Sequence, residues 1–161
     1  MKNLDKTVDN SFAFMYNIGE NYKNFSGGII MTYNFLITIG DLILNKCIES
    51  LSFRVDTPND SNARCDDVGK ILEITGQIGM GEPTVELFSW SLLPTSDSKA
   101  YRSVEILITG QNSQVLRKLT FEKAFVVDYN ESYSKGSGAG MFSIFLKQKK
   151  DKNDVIEVTG E

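Results

Sequence analysis

One short segment, residues 82–94, constrains the fold more than any other part of this sequence. It reads EPTVELFSWSLLP, contains the only tryptophan and has prolines at positions 83 and 94. As a strand, it would carry apolar side chains on both faces and would have to be buried on both. As a helix, it accommodates proline in its first turn and stops before the second proline. We therefore predict a helix over this segment.

The apolar side chains of this helix are predicted to form a single stripe. Its members are Val85, Leu87, Phe88, Trp90 and Leu92, three of which follow the i, i+3, i+7 spacing of one helix face. A lone amphipathic helix must bury its stripe on a sheet, on a barrel wall or on a neighbouring subunit. Val85, Phe88, Trp90 and Leu92 are therefore candidates for either the core or an interaction surface, and Phe88 and Trp90 are expected to be structural.

Most of the sequence from residue 31 onward alternates apolar and polar residues, which is typical of half-buried strands. Leu72 and Ile74, for example, alternate with Glu73 and Thr75. The predicted strands cover residues 33–39, 42–47, 48–57, 70–78, 102–110, 114–121, 125–133, 142–149 and 155–159. With turn signals between them, they predict a mainly β fold, an antiparallel β-barrel or β-sandwich of eight to nine strands with one short α-helix.

Residues 1–30 differ from the rest of the sequence because their apolar residues follow no sustained period. We interpret them as an N-terminal extension to a domain that covers residues 31–161. The Ser-Gly-Gly at 26–28 can be encoded by a ribosome-binding sequence placed just upstream of Met31. Under one hypothesis, translation starts at Met31 and the extension is a mis-assigned start. Under the other, it is a genuine N-terminal arm, disordered or marginally helical.

The sequence contains no histidine. This excludes Ser-His-Asp and Cys-His catalytic arrangements and removes the commonest metal ligand. Its two cysteines, Cys47 and Cys65, cannot close a four-thiolate zinc site. Without a visible secretory signal, they are expected to be free thiols in the cytoplasm, a disulfide between them being the alternative. We expect no enzyme activity, no catalytic residues, no cofactor and no bound metal.

Charge and hydropathy exclude two classes of partner. The net charge is −4, and the lysines at 147–152 are interleaved with acidic residues, so no basic face for nucleic acid is expected. The apolar runs are too short to cross a bilayer, so no membrane partner is expected.

Two glycine-rich segments could be interpreted as ligand sites. Gly76, Gly79 and Gly81 precede the predicted helix but lack the spacing of known phosphate-binding loops, so a plain loop is expected. The segment 136–140 precedes a strand and is predicted to be a hairpin tip.

A long polar loop covers residues 57–69 and contains almost nothing that a core could bury. A loop of this length in a compact domain is usually functional or disordered. Six of its polar residues are candidates for an interaction surface: Asn59, Asp60, Asn62, Arg64, Asp66 and Asp67.

The order of these features resembles a known family. A strand-rich first half and the long polar loop are followed by ELFSWSLLP at 86–94, by RKLTFEKAFVVDY at 117–129 and by QKKDKND at 148–154. Over about residues 31–161, the chain resembles the haemolysin-coregulated (Hcp-like) tube proteins of type VI secretion and the tail tube proteins of contractile phages and tailocins. The extension at 1–30 is not part of the family pattern.

The resemblance implies a small β-barrel with one helix on its side, which closes into a hexameric ring around a wide channel. Rings would stack into a tube, and the loop at 57–69 would contact the adjacent ring. The implied partners are copies of the chain itself, sheath and baseplate or spike proteins, and cargo effectors in the channel. The particle would be assembled in the cytoplasm and then released or secreted.

Two alternatives to a structural tube subunit remain open from the sequence. One is a stand-alone, ring-forming β-barrel that acts as a binding module or as a chaperone for secreted cargo. The other is a hydrolase that uses carboxylates, which would need two acidic groups on facing strands at a suitable separation.

Overall fold

The computed structural model describes residues 32–56, 69–136, 138–149 and 157–160. The strands are β1 (Asn34–Ile39), β2 (Leu42–Leu44), β3 (Ile48–Asp56), β4 (Gly69–Ile78), β5 (Arg102–Thr109), β6 (Val115–Tyr133), β7 (Gly140–Gln148) and β8 (Glu157–Thr159). One α-helix, α1, spans Val85–Ser91, and 3-10 turns cover Ser98–Ala100 and Gln111–Ser113. The mainly β class and the helix are thus confirmed, although the helix is shorter than the segment that predicts it.

All strands belong to one antiparallel sheet with the order β2-β1-β5-β6-β7-β4-β3, and β8 pairs with β6. The two strands predicted at 114–121 and 125–133 are one continuous strand, β6, with a register irregularity between Val126 and Asp128. The first half of β6 pairs with β5 as far as Ala124, and the second half, residues 125–133, pairs with β7. This long strand therefore connects the two halves of the sheet.

The sheet curls because of a short connection between its ends. Strands β2 and β3 lie at opposite ends of the strand order, yet only residues 45–47 separate them. The two ends must therefore approach each other. Among the described residues no pairing joins β2 to β3, so the sheet is curled but not closed into a barrel.

The connection at 45–47 packs directly on strand β4 at Gly76. A Cβ atom at this position would lie 2.4 Å from the carbonyl oxygen of Cys47 and 2.7 Å from the ring of Phe142. The backbone N–H of the next residue, Gln77, donates to the same carbonyl at 2.7 Å. Gly76 is therefore part of a strand that needs a close backbone approach, and the predicted plain loop is limited to the turn with Gly79 and Gly81.

Both halves of the curled sheet contribute to one hydrophobic core. Ile37, Ile106 and Phe121 from one half belong to the same buried cluster as Leu72 and Ile144 from the other. The helix completes this cluster with Leu87 and Trp90, which are fully buried. No helix in the described part of the chain is both long enough and apolar enough to cross a membrane.

The prediction of one apolar stripe on α1 was wrong. Leu87 and Trp90 face the core, whereas Val85 and Leu92 are 68% and 67% exposed and Phe88 is 44% exposed. At 100° per residue, positions 87 and 90 lie on the opposite side of the helix from positions 85, 88 and 92. The helix therefore has two apolar faces, an inner one that fills the core and an outer one. Phe88 is not a core residue of the subunit.

Trp90 is held by polar contacts as well as by packing. Its indole Nε1–H donates to the carbonyl oxygen of Ala100 at 2.8 Å. The guanidinium carbon of Arg102 lies 5.2 Å from the centre of its ring, within the range of a cation–π interaction. These contacts fix the helix to the turn that precedes β5.

We predict that Trp90→Ala lowers the free energy of unfolding by about 3–5 kcal/mol, because it leaves a large cavity in the core. The matched variant Phe88→Ala, on the outer face of the same helix, should cost about 1 kcal/mol or less in the isolated subunit. Urea unfolding of dissociated protein measures both values. Equal losses would contradict the assignment of the two faces.

Candidate assembly interface

Four neighbouring strands in the order β3-β4-β7-β6 form a candidate interface, and we call them the four-strand unit. Strand β3 forms one end of the sheet and, among the described residues, pairs only with β4. At the other end of the unit, the pairing of β6 with β5 stops at Ala124, while its second half, residues 125–133, continues to pair with β7. The described structure therefore leaves one edge of β3 and one edge of this second half of β6 open.

These two edges are complementary in direction. Every pair in the four-strand unit is antiparallel, so β3 and β6, three strands apart, run in opposite directions. If identical units are placed side by side in the same orientation, β3 of one copy meets β6 of the next in an antiparallel arrangement. Open edges of this kind are sites for pairing with another chain.

The face of the unit that points to the core remains apolar up to the β3 edge. Phe53 pairs in register with the core residue Leu72, so both side chains lie on this face. Phe53 contacts the ring of Phe121 at 6.0 Å between centroids, yet it is still 38% exposed. Val55, on the same face, is 53% exposed. A row of incompletely covered apolar side chains therefore borders this edge.

The β6 edge carries the helix on the same face. Tyr129 pairs in register with the core residue Ile144, and its ring lies 5.8 Å from the ring of Phe88. The helix therefore occupies the core-side face of β6 beyond the point where β5 ends. Its outer face, formed by Val85, Phe88 and Leu92, is exposed beside this edge.

A tyrosine–glutamate–tyrosine chain extends along the same face of β6. The hydroxyls of Tyr129 and Tyr133 each donate to one carboxylate oxygen of Glu131, both at 2.6 Å. Burial, this hydrogen bond and the glutamate charge raise the pKa of Tyr129 far above its ordinary value. The hydrogen bond that Tyr133 itself donates to Glu131 is the main cause of the raised pKa of Tyr133. Both hydroxyls therefore stay protonated and satisfy the carboxylate next to the edge.

The opposite face of the four-strand unit is largely polar. Its side chains alternate with those of the core in each strand and come from all four strands. They include Ser52, Arg54, Glu73, Thr75, Asp128, Asn130, Ser143 and Lys147. The apolar Ile71 and Phe145 also lie on this face, beside Arg54 and Asp128. Most of the face can nevertheless be in contact with water.

Glu82 connects the segment that precedes β3 to the segment that precedes the helix. Its carboxylate accepts backbone N–H groups from Asn45 and Lys46 at 2.9 and 2.8 Å through Oε1, and from Cys47 at 3.0 Å through Oε2. Strand β3 begins at Ile48 and the helix begins at Val85, so this carboxylate lies next to the start of both elements.

The ionisation states of Glu82 and of the Cys47 thiol follow from their surroundings. Burial alone would raise the pKa of Glu82, but hydrogen bonds from the Cys47 thiol and the three backbone N–H groups hold it below its ordinary value. Burial raises the pKa of the Cys47 thiol far above its ordinary value, and the hydrogen bond to Glu82 and the charge of that residue raise it further. Cys47 is therefore a buried, protonated thiol with a structural role.

The predicted site residues have different outcomes. The loop residues Asn59, Asp60, Asn62, Arg64, Asp66 and Asp67, together with Cys65, lie outside the described residues. The assignments to the loop at 57–69 and to the extension at 1–30 therefore stay predictions. Within the helix, Trp90 is core, and Val85, Phe88 and Leu92 are exposed in the subunit.

Sequence reasoning missed Glu82 and the edge residues Phe53 and Val55. The partners of Glu82 are backbone groups more than 30 positions away, and no side-chain pattern marks them. Phe53 and Val55 follow the alternation of a half-buried strand, which gives no sign that the strand lies at an edge.

Comparison with solved structures identifies the fold. The chain is similar to Hcp1 from Flavobacterium johnsoniae, with 16% sequence identity, a TM-score of 0.52, and coverage of 80% of this chain and 96% of that chain. It is similar to a type six secretion system protein, with 13% identity, a TM-score of 0.57, and coverage of 80% and 93%. It is also similar to a chain of the PVC sheath-tube complex of an extracellular contractile injection system, with 15% identity, a TM-score of 0.51, and coverage of 97% and 100%. The chain therefore has the Hcp-like fold that the sequence resemblance predicted. No protein-family model and no curated protein matches the sequence.

We predict that Glu82→Gln lowers the free energy of unfolding at neutral pH by about 1–3 kcal/mol, because charged hydrogen bonds are replaced by weaker ones. The carboxylate contributes fully above the ordinary pKa of 4.5, and its contribution is lost as the pH falls through the lowered pKa of the folded state. The variant should therefore lose less stability on acidification than the original chain. Urea unfolding at neutral pH and at about pH 4 measures this difference. The exposed neighbour Glu86→Gln is the control, and an unchanged acid dependence in Glu82→Gln would contradict the role of this carboxylate.

Proposed function

We propose that this chain is a structural tube subunit of a contractile injection machine, and that it forms hexameric rings that stack into a tube. The observation that carries the proposal is the pair of open, antiparallel-compatible edges on the four-strand unit. The Hcp-like fold and its similarity to a chain of a sheath-tube complex support it.

The four-strand unit supports ring closure on physical grounds. The four strands of the unit alternate in direction, so the first strand of one subunit runs opposite to the last strand of its neighbour. Strand β3 of each subunit can therefore pair with the second half of β6 in the next as an antiparallel strand. Each pairing would use the same two surfaces, so the contact between subunits is head-to-tail. Such contacts close into a ring when a whole number of subunit-to-subunit rotations adds up to 360°. Closure would remove every open edge of the unit, as it does in barrels.

The unequal faces of the unit support its orientation in the ring. The face with Arg54, Glu73, Thr75 and Lys147 is polar, and the opposite face is packed on the core of the subunit. In a closed ring, the polar face would line the channel. Cargo effectors that pass through it would then meet charged and hydroxyl side chains.

Stacking is assigned to the loop at 57–69, with sheath and baseplate or spike proteins as further partners. The polar loop residues Asn59, Asp60, Asn62, Arg64, Asp66 and Asp67 suit a reversible, hydrogen-bonded contact. Assembly would take place in the cytoplasm, with the finished particle available for release. In this role the chain needs no enzyme activity.

A ring-forming chaperone for secreted cargo is the second candidate. The polar face of the four-strand unit supports it equally well, because a single ring would already enclose a polar channel. The two candidates differ in whether rings stack, so polymerisation along the ring axis separates them.

We expect the chain to form closed oligomers of a single size, with six copies of the chain in each. Native mass spectrometry of the full chain and of a variant lacking residues 1–30 gives the copy number, and electron microscopy shows ring closure. Removal of the extension should leave rings intact and favour stacking. Protein that stays monomeric at high micromolar concentration in both forms would contradict the proposal.

We expect that replacing residues 58–68 with a short Gly-Ser linker preserves the fold and the ring but abolishes stacking. Thermal unfolding, ring mass and tube formation by electron microscopy should be measured on the same variant. A linker of the original length with the same Gly-Ser composition is the control for chain length. Normal tubes from both variants would show that stacking depends on another surface.

A further inference from the structure

The outer face of α1 is an apolar surface that the described residues leave exposed. Val85, Phe88 and Leu92 are 68%, 44% and 67% exposed, and they lie on one side of the helix. The inner face of the same helix already fills the core with Leu87 and Trp90. The outer face is therefore not needed for the fold of the subunit, and three large apolar side chains within about two turns of helix form the kind of exposed patch that marks an interaction site.

A second uncovered apolar surface lies at the β3 edge. Phe53 and Val55 are 38% and 53% exposed, and both lie on the core-side face of the sheet. Their neighbour along the strand on this face, Leu51, packs on the core. Among the described residues, apolar cover is therefore missing only toward the end of the strand that carries Val55.

Pairing between subunits would bring these two surfaces together. Residues that pair in register on neighbouring strands have their side chains on the same face of the sheet. The same rule applies to a strand added from another chain. Phe53 and Val55 of an added β3 would therefore lie on the same face of β6 as Tyr129. Because Phe88 already contacts Tyr129, the outer face of the helix lies directly over this side of the edge.

Charges on the opposite face are complementary at the same two edges. Arg54 of β3 lies on the polar face, in register with Ile71. Asp128 of β6 lies on the polar face as well, in register with Phe145. Within one subunit these two side chains line the same cleft, together with Lys147. An added β3 would bring a second guanidinium to the edge that carries the carboxylate, which favours the pairing of these two edges over that of two identical ones.

From this placement we infer that the outer face of α1 is covered by β3 of the neighbouring subunit, with Val85, Phe88 and Leu92 packed against the neighbour's Phe53 and Val55. The inference rests on the proposed ring and identifies its apolar contact. Each subunit supplies both halves of the contact, one at each edge. The apolar core of one subunit would thus extend into the next. The outer face of the helix would become buried at the same time as the ring forms.

Cross-linking between the two surfaces tests this contact. Val55→Cys and Phe88→Cys are combined in one chain in which Cys65 is replaced by serine, while the buried Cys47 is retained. A short bis-maleimide reagent should then join consecutive subunits and give a ladder of covalent oligomers on a denaturing gel. Each single-cysteine variant should give no ladder, because the contact is head-to-tail. The matched control pairs Phe88→Cys with Ile43→Cys, a 52% exposed position on β2, and should also give none.

The ring mass is measured on the same samples, which separates the inference from the proposed function. Rings that give no ladder with Val55→Cys and Phe88→Cys, or the same ladder with the control pair, would overturn the inference and leave the tube proposal intact. The absence of any closed oligomer from the full chain would overturn both.

A charge on the outer face gives an independent measurement. Phe88→Glu should weaken the association of subunits by roughly tenfold or more, as loss of a central apolar anchor usually does. The melting temperature of the dissociated subunit should change little, because Phe88 is not part of its core. Ile43→Glu is the control and should leave association unchanged. An unaltered association constant in Phe88→Glu would overturn the inference.

Discussion

The carboxylate of Glu82 is the constraint on which the rest of this structure depends. It accepts the backbone N–H groups of Asn45, Lys46 and Cys47, the three residues through which the chain crosses from one end of the sheet to the other. Without an acceptor, the partly buried donors of Asn45 and Cys47 would destabilise the crossing. Since Gly76 allows the same segment to pack on β4, the crossing is both short and close. A sheet with its ends joined in this way must curl.

The sheet curls around the core but does not close into a barrel, and this explains why some surfaces of the subunit are covered and others are exposed. Both halves of the sheet cover one core, but the four-strand unit keeps open edges at β3 and at residues 125–133 among the described residues. The helix adds an apolar inner face to the core and leaves its outer face exposed beside one of these edges. A monomer with these features would be prone to unspecific strand pairing, whereas the proposed closed ring of identical subunits would satisfy both edges and both apolar surfaces.

Much of this fold could be predicted from the sequence, because alternation of apolar and polar residues identifies half-buried strands such as β4 and β7. The sequence predicts two strands in place of β6 because Lys123 and Ala124 interrupt the alternation, whereas pairing first with β5 and then with β7 keeps the strand continuous. The helix was placed correctly, but adjacent apolar residues such as Leu87 and Phe88 gave no sign of which face is inner. The contacts of Glu82 could not be predicted, since backbone donors leave no pattern in the sequence.

The central claim is that β3 and the second half of β6 pair between subunits. Hydrogen exchange of backbone amides, compared between assembled and dissociated protein, tests it most directly. The account predicts that residues 48–56 and 125–133 gain protection on assembly, while residues 34–39 in β1, inside the sheet in either state, change little. Equal exchange of both edge segments in the two states, with protection gained elsewhere, would contradict it.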